Sequence, residues 1–259
     1  MKITVLVKQV PDTATQIQIK SDHLGIVEDG VKVVLSPYDE FAVEEALRLK
    51  EKIGDCEVTA LTVGPSQTAE MLRSCMAMGA DRAVRIWDKS LEKIDPYVTA
   101  LLLAKKLESA KPDLLWCGRQ AVDDDMGYVG GVVAEKLGLP FVAQVTRFEY
   151  LVDKKAVKVV RQIEGGEETL EVLLPCALSA QKGLNEPRYP SLTGMMKAKK
   201  KEIEEVNAIE LLPNAAEEAR TTVIDLSPPP QRPPGKMLQG TPEEMVKELI
   251  HELRGRKVL

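Results

Sequence analysis

Apolar and polar positions alternate in two registers along this chain, and the switching between them lays out the fold. Apolar runs of strand length, Ile3 to Val7, Val58 to Val63, Ala83 to Trp87 and Asp113 to Cys117, stand between segments whose apolar residues return at helical spacing. Those segments run from about Tyr38 to Lys52, Thr68 to Met78, Pro96 to Ser109 and near Gly130 to Leu137. Strand and helix in alternation predict βαβ units, and hence an α/β fold with a doubly wound, mostly parallel sheet and helices on both faces. In the first helix Phe41, Ala42, Ala46 and Leu47 form the apolar stripe, while Glu44, Glu45, Arg48, Lys50 and Glu51 fill the other face. Asp39 and Glu40 suit the positive end of its dipole.

Past Pro140 the texture changes. Two strands, Val157 to Ile163 and Thr169 to Leu174, flank Glu164-Gly165-Gly166-Glu167 and predict a β-hairpin. Ser227-Pro228-Pro229-Pro230-Gln231-Arg232-Pro233-Pro234-Gly235 cannot continue a helix or a central strand and predicts an extended segment. Thr241-Pro242-Glu243-Glu244 then supplies an N-cap, a first-turn proline and a glutamate three residues after the cap, the opening of an amphipathic terminal helix. The expected organisation is a core over residues 1–226 and an arm over 227–259 that docks elsewhere.

Composition narrows the partners. With 44% hydrophobic and 29% charged residues and a net charge of −5, the chain has no basic footprint, so nucleic acid is not an expected partner. No apolar stretch approaches about 18 residues and the start lacks a signal-type apolar region, which predicts a cytoplasmic protein. Cys56, Cys75, Cys117 and Cys176 stand far apart and mostly in apolar runs, and read as buried thiols in a reducing compartment. His23 and His251 lie in no nucleophile or zinc motif.

The candidate chemistry gathers after the fourth strand. Gly118-Arg119-Gln120-Ala121-Val122-Asp123-Asp124-Asp125 leads into Met126-Gly127-Tyr128-Val129-Gly130-Gly131 at a helix start, where free amides can bind phosphate without a dedicated lysine. Three carboxylates would repel phosphate if all pointed inward, so capping, pairing with Arg119 or bonding to ribose hydroxyls is expected of them. On the residues alone, a solvated acidic turn and a nucleotide loop stand level. A metal at the triplet is the weaker reading, since Mg²⁺ sites commonly use one or two carboxylates beside a bound phosphate. Neither G-x-G-x-x-G nor a Walker A sequence follows the first strand, where Lys8-Gln9-Val10-Pro11-Asp12-Thr13 stands instead. Asn185-Glu186-Pro187-Arg188-Tyr189-Pro190-Ser191-Leu192-Thr193-Gly194-Met195-Met196 runs into Lys197-Ala198-Lys199-Lys200-Lys201. An apolar tip beside a basic patch is a docking design, and a loop folded back on the core is the plainer alternative.

Taken together, Val7 to Asp12, Asp29-Gly30-Val31-Lys32, Ser36 to Ala46, Ala77 to Arg82, Gly118 to Asp125 and the hairpin Val159 to Ser179 resemble the electron-transfer flavoprotein beta family in order and spacing. Asn185 to Tyr189 and the lysine run add to the likeness, which covers Lys2 to about Lys201 and continues more loosely into the tail. The resemblance implies a Rossmann-like adenine-nucleotide-binding core in the small subunit of a heterodimer, an electron carrier rather than a self-contained enzyme, with no catalytic residue of its own. The alpha subunit would hold the redox-active FAD, with Thr13 and Tyr38 near it; position 13 is often aromatic in respiratory members.

An AMP, or a second FAD in an electron-bifurcating member that oxidises NADH, would sit among Leu6, Ser36, Pro37, Tyr38, Asp39, Val63 and the run from Gly118 to Val129. The triplet Asp123-Asp124-Asp125 resembles the AMP type, Val10-Pro11-Asp12-Thr13 is common among bifurcating members, and AMP is favoured. Leu192, with Met195 and Met196 in a recognition loop spanning 185–201, would anchor acyl-CoA dehydrogenases of fatty acid oxidation, and electrons would pass on to a membrane-associated, quinone-linked oxidoreductase. A stand-alone ATP-binding α/β protein is the reading from another class; it leaves the arm and the Leu192 loop without a purpose.

Overall fold

A computed structural model describes residues 1–91, 94–232 and 234–259; Pro233, within the segment predicted to be extended, lies outside the described residues. In chain order the elements are β1 (Lys2–Leu6), β2 (Gln9–Pro11), β3 (Val33–Leu35), α1 (Pro37–Ile53), β4 (Glu57–Val63), α2 (Thr68–Met78), β5 (Arg82–Trp87), α3 (Pro96–Ala110) and β6 (Leu114–Gly118). They continue with α4 (Val129–Leu137), β7 (Phe141–Leu151), β8 (Ala156–Ile163), β9 (Gly166–Leu173), β10 (Cys176–Ala180), α5 (Leu192–Ala198), β11 (Glu204–Asn207), α6 (Ala208–Leu211) and α7 (Pro242–Gly255).

Nine strands form one sheet in the order β11-β5-β4-β1-β6-β10-β7-β8-β9, with β2 and β3 as a separate antiparallel pair. All neighbours from β11 to β7 run parallel, and only β7–β8 and β8–β9 are antiparallel. This is the doubly wound architecture the βαβ rhythm predicts, and the predicted hairpin extends the same sheet. Alternation along β1 and β6 sends Ile3, Val5, Leu114 and Trp116 to the face covered by α1 and α2. Leu6, Leu115 and Cys117 go to the face covered by α3 and α4. Each large apolar side chain so buried contributes about 1.5–3 kcal/mol. Cys75, Cys117 and Cys176 are buried and Cys56 partly so, all as free thiols.

Glu44 departs from the polar face predicted for α1: it is buried, because Arg48 and Arg188 both bond its carboxylate, each at 2.8 Å. Burial pushes the Glu44 carboxyl up, but those hydrogen bonds outweigh it and hold the group below the usual range. Arg188 also bonds Glu51, while Asn185 donates to the Phe41 carbonyl and to Glu45, each at 2.9 Å, so the segment before Leu192 is strapped to α1. Leu192 itself lies in a helix rather than a loop. Ser191 caps α5 by accepting from the Gly194 amide at 3.0 Å, which leaves Leu192 78% and Met196 68% exposed. The segment therefore folds back on the core and still presents an apolar tip.

The capping box predicted at Thr241 and Glu244 is present, and Val246, Leu249 and Ile250 of α7 are exposed. Upstream, the Arg220 and Thr221 amides donate to Asp95 at 2.8 and 2.9 Å, and the Leu226 amide donates to the His23 carbonyl at 2.8 Å. Among the described residues no helix is long and apolar enough to cross a membrane.

Candidate functional site

β1 and β6 lie side by side, but the chain leaves β1 toward β4 on one side while β6 continues to β10 on the other. The carboxyl ends of these two strands are therefore the switch point of the sheet, where crossovers diverge and a crevice opens. Asp39, in the first turn of α1, bridges the gap: its Oδ2 accepts from the Lys8 amide and its Oδ1 from the Gly118 amide, each at 2.8 Å. Gly118 is required there, since a Cβ would collide with Asp39 Oδ1 and lie 2.8 Å from the backbone carbonyl carbon of Tyr38.

A cleft of about 300 Å³ opens over this bridge. Leu6, Leu61, Val63, Ile94, Leu103 and Phe141 make its apolar walls, and the loop Gly118 to Gly127 with Val129 and Gly130 closes one side. The N-terminus of α4 has no side-chain cap, so its first-turn amides are available to an anion. Gly130 lets α4 sit close on β6, because a Cβ there would strike the Cys117 sulfur. On the opposite wall Asp95 caps α3 through the Val98 amide at 2.9 Å. Burial pushes the Asp95 carboxyl up, but that bond and those from Arg220 and Thr221 outweigh it and hold it below the usual range.

The carboxylates of the acidic triplet are engaged by nearby groups, and Asp124 remains part of the cleft lining. The Lys8 ammonium bonds Asp123 at 2.8 Å and Asp124 at 2.9 Å, and Asp125 accepts from Gln120 at 2.6 Å. Of the roles expected for the triplet, pairing with Arg119 is not seen among the described residues: Asp123 and Asp124 pair with Lys8, and Asp124 also accepts from the Met126 amide at 3.1 Å. Burial pulls Lys8 down, yet the two carboxylates outweigh it and hold the ammonium above the usual lysine range. Arg119 lines the cleft with a guanidinium that has no ion-pair partner among the described residues. Among those residues no three-acid, histidine or cysteine group is set to hold a metal.

Of the residues singled out from sequence, Leu6, Asp39, Val63, Gly118, Arg119, Gln120, Ala121, Asp124, Met126, Gly127 and Val129 converge on the cleft. Ser36, Pro37, Tyr38, Val122, Asp123, Asp125 and Tyr128 are not among its lining residues, and Ser36 Oγ is buried without a partner among the described residues. Thr13 is exposed in the turn after β2, and Tyr38 is half-buried at the start of α1. The wall from Ile94 to Thr99, Leu103 and Phe141 was not legible in the sequence, because crossover topology and no local motif brings it here.

Apolar walls suit a base, while uncapped α4 amides and the unpaired Arg119 suit a phosphate, so the donor set fits a mononucleotide. Burial pushes the Asp39 carboxyl up to about 7, although the two amides favour its charged form. The folded state therefore holds this proton more tightly than the unfolded chain, in which an aspartate titrates near about 3.9. Unfolding free energy is expected to fall by up to about 4 kcal/mol as pH rises from about 4 to about 7, and then to level off. Denaturant titrations across that window check it; Asp39→Asn should remove the slope, and an equal slope in the variant would refute the assignment.

An open, mostly parallel sheet with a ligand-sized cleft at its switch point defines a protein of the doubly wound α/β class. Residues 23–211 match the model of the electron transfer flavoprotein domain. Over 254 residues the chain is 43% identical to the electron transfer flavoprotein subunit beta of Mus musculus, covering 96% of both chains. It is 39% identical to that subunit of Bacillus subtilis over 256 residues and 98% of both, and 38% identical to that of Thermoanaerobacterium thermosaccharolyticum over 264 aligned positions and 100% of both. The chain belongs to the electron transfer flavoprotein family, with the beta subunits as its relatives.

Proposed function

We propose that this chain is the small subunit of a heterodimeric electron carrier whose alpha subunit holds the redox-active FAD, and that its own cleft holds AMP. The cleft carries the reading. Its volume of about 300 Å³ lies at the lower end of the roughly 300–1,000 Å³ typical of ligand pockets, which suits a mononucleotide better than a dinucleotide. Leu6, Leu61, Val63 and Phe141 would enclose the base, the α4 amides and Arg119 would hold the phosphate, and Asp39 would keep the two strand ends in register beneath it. FAD supplies the redox chemistry when bound in the complex, and this chain positions, shields and docks.

Residues 227–259 form the arm that reaches the alpha subunit, and exposed α7 is its contact. Thr13 and Tyr38 face the partner's flavin, and Leu192, with Met195 and Met196, engages an acyl-CoA dehydrogenase. Electrons then leave for a membrane-associated, quinone-linked oxidoreductase. The test is to copurify the two subunits, denature the complex and quantify released nucleotides. One FAD and one AMP per heterodimer is the expected result. Two FAD without AMP would make the complex electron-bifurcating, and a stable monomer turning over ATP would overturn the reading.

A further inference from the structure

Beside the segment that leads to Leu192, and away from the nucleotide cleft, lies a second groove of about 470 Å³. Its floor and sides are apolar, from Val34 and Leu35 of β3, Phe41 of α1, Met71 and Met78 of α2, and the prolines at 187 and 190. Glu40 from α1 and Glu70 from α2 both line it. Among the described residues neither carboxylate has a hydrogen-bond or ion-pair partner. Glu40 is half-buried, and burial pushes its carboxyl above the ordinary range, so it is kept from water without a compensating cation.

Arg188 also lines the groove, but its guanidinium is committed to Glu44 and Glu51, and Glu44 in turn bonds Arg48. These four charges balance one another, which leaves Glu40 and Glu70 as two uncompensated negative charges on an apolar-walled groove. A groove of this composition complements a cation with a hydrocarbon stem, because the stem covers apolar wall while the charge meets the carboxylates. Tyr189, 94% exposed on the rim, offers a ring face to the same cation. The groove is continuous with the docking tip: Pro190 is one of its walls, and Leu192 starts α5 two residues later.

We propose that this groove receives an arginine or lysine side chain from the same dehydrogenase that takes Leu192, making the docking surface bipartite: an apolar anchor beside an acidic socket. The proposal rests on the docking reading of Leu192. The two parts differ in physics. Charge attraction across the socket is screened by salt and acts largely on association, whereas burial of a leucine is little affected by ionic strength.

The experiment uses the assembled heterodimer, with an acyl-CoA dehydrogenase as the reductant and the flavin's bleaching as the readout, at low and at high salt. Glu40→Gln combined with Glu70→Gln is expected to raise the KM for the heterodimer about five- to tenfold at low salt and to flatten its salt dependence, with kcat held. Leu192→Ala should raise KM at both salt levels alike. An unchanged KM and salt profile in the glutamine pair, while Leu192→Ala still weakens coupling, overturns the socket alone. The reverse pattern, a response to the glutamines and none to Leu192→Ala, supports the socket and overturns the anchor. Loss of subunit assembly or flavin content in the glutamine pair would hand the groove to the alpha subunit and overturn the proposal. Thermal unfolding and nucleotide content of each variant identify a mere folding defect, and Glu70→Gln alone, exposed on α2, repeats the salt test where the pair folds poorly.

Discussion

Gly118→Ala is expected to strip the cleft of its nucleotide and to lower the unfolding free energy by about 2–3 kcal/mol. The added methyl would meet a carboxylate oxygen of Asp39 and the backbone of Tyr38, neither of which is the free end of a flexible side chain. Either α1 moves away from β6 or β6 bends, and in both cases the Asp39 bonds to the Lys8 and Gly118 amides cannot both persist. Those bonds set the spacing of the strand ends beneath the proposed base and phosphate. A loss of about 1.4 kcal/mol in binding already costs tenfold in affinity, so nucleotide should disappear during gel filtration of the variant complex. Gly166→Ala is the control, because a Cβ at that hairpin position meets nothing within 4 Å. Full nucleotide content in Gly118→Ala would move the binding site elsewhere.

Leu192→Ala is expected to weaken coupling to an acyl-CoA dehydrogenase by about 30-fold while leaving bound flavin and thermal stability unchanged. The side chain is 78% exposed at the start of α5, so the free protein loses almost no packing when it is cut back. Burying it in a partner's apolar pocket would contribute about 2 kcal/mol, which corresponds to that factor. Stopped-flow reduction of the complex over a range of dehydrogenase concentrations measures it. Equal rates for both proteins would remove Leu192 from the interface.

Where local pattern and burial coincide, the sequence was legible. β1, β4, β5 and β6 read as mostly apolar runs because helices cover both of their faces, and α1 to α4 carry clear helical spacing. Five strands did not show themselves: β2 and β3 span three residues each, too short to stand out as apolar runs, and β7, β10 and β11 each depart from a strand pattern. β7 changes register around Gln144, whose φ of 60° interrupts alternation; β10 is built from Cys176, alanines, leucine and serine rather than β-branched residues; and polar β11 is an edge strand held by Arg82, Lys106 and Arg85 through Glu204 and Glu205. Leu192 read as a loop because Thr193 and Gly194 follow it, yet the Ser191 cap and a bare glycine backbone against the Ala77 carbonyl allow a helical turn. At the cleft, the loop after β6 could be found by its glycines. The α3 wall and the Lys8 partner of the triplet are products of topology, with separations of more than a hundred residues between Lys8 and its carboxylates.

The order in which the chain is made bears on that topology. Every residue lining the cleft lies at or before Phe141, whereas β10, which covers the open flank of β6, begins only at Cys176. On a translating ribosome the lining residues emerge while β6 still has one unpaired edge, before Ala180 can accept from the Arg119 amide and before the Arg220 and Thr221 amides can reach Asp95. On the proposed reading the cleft is thus tightened by the parts of the chain made last, and bound nucleotide would stabilise the completed fold by mass action.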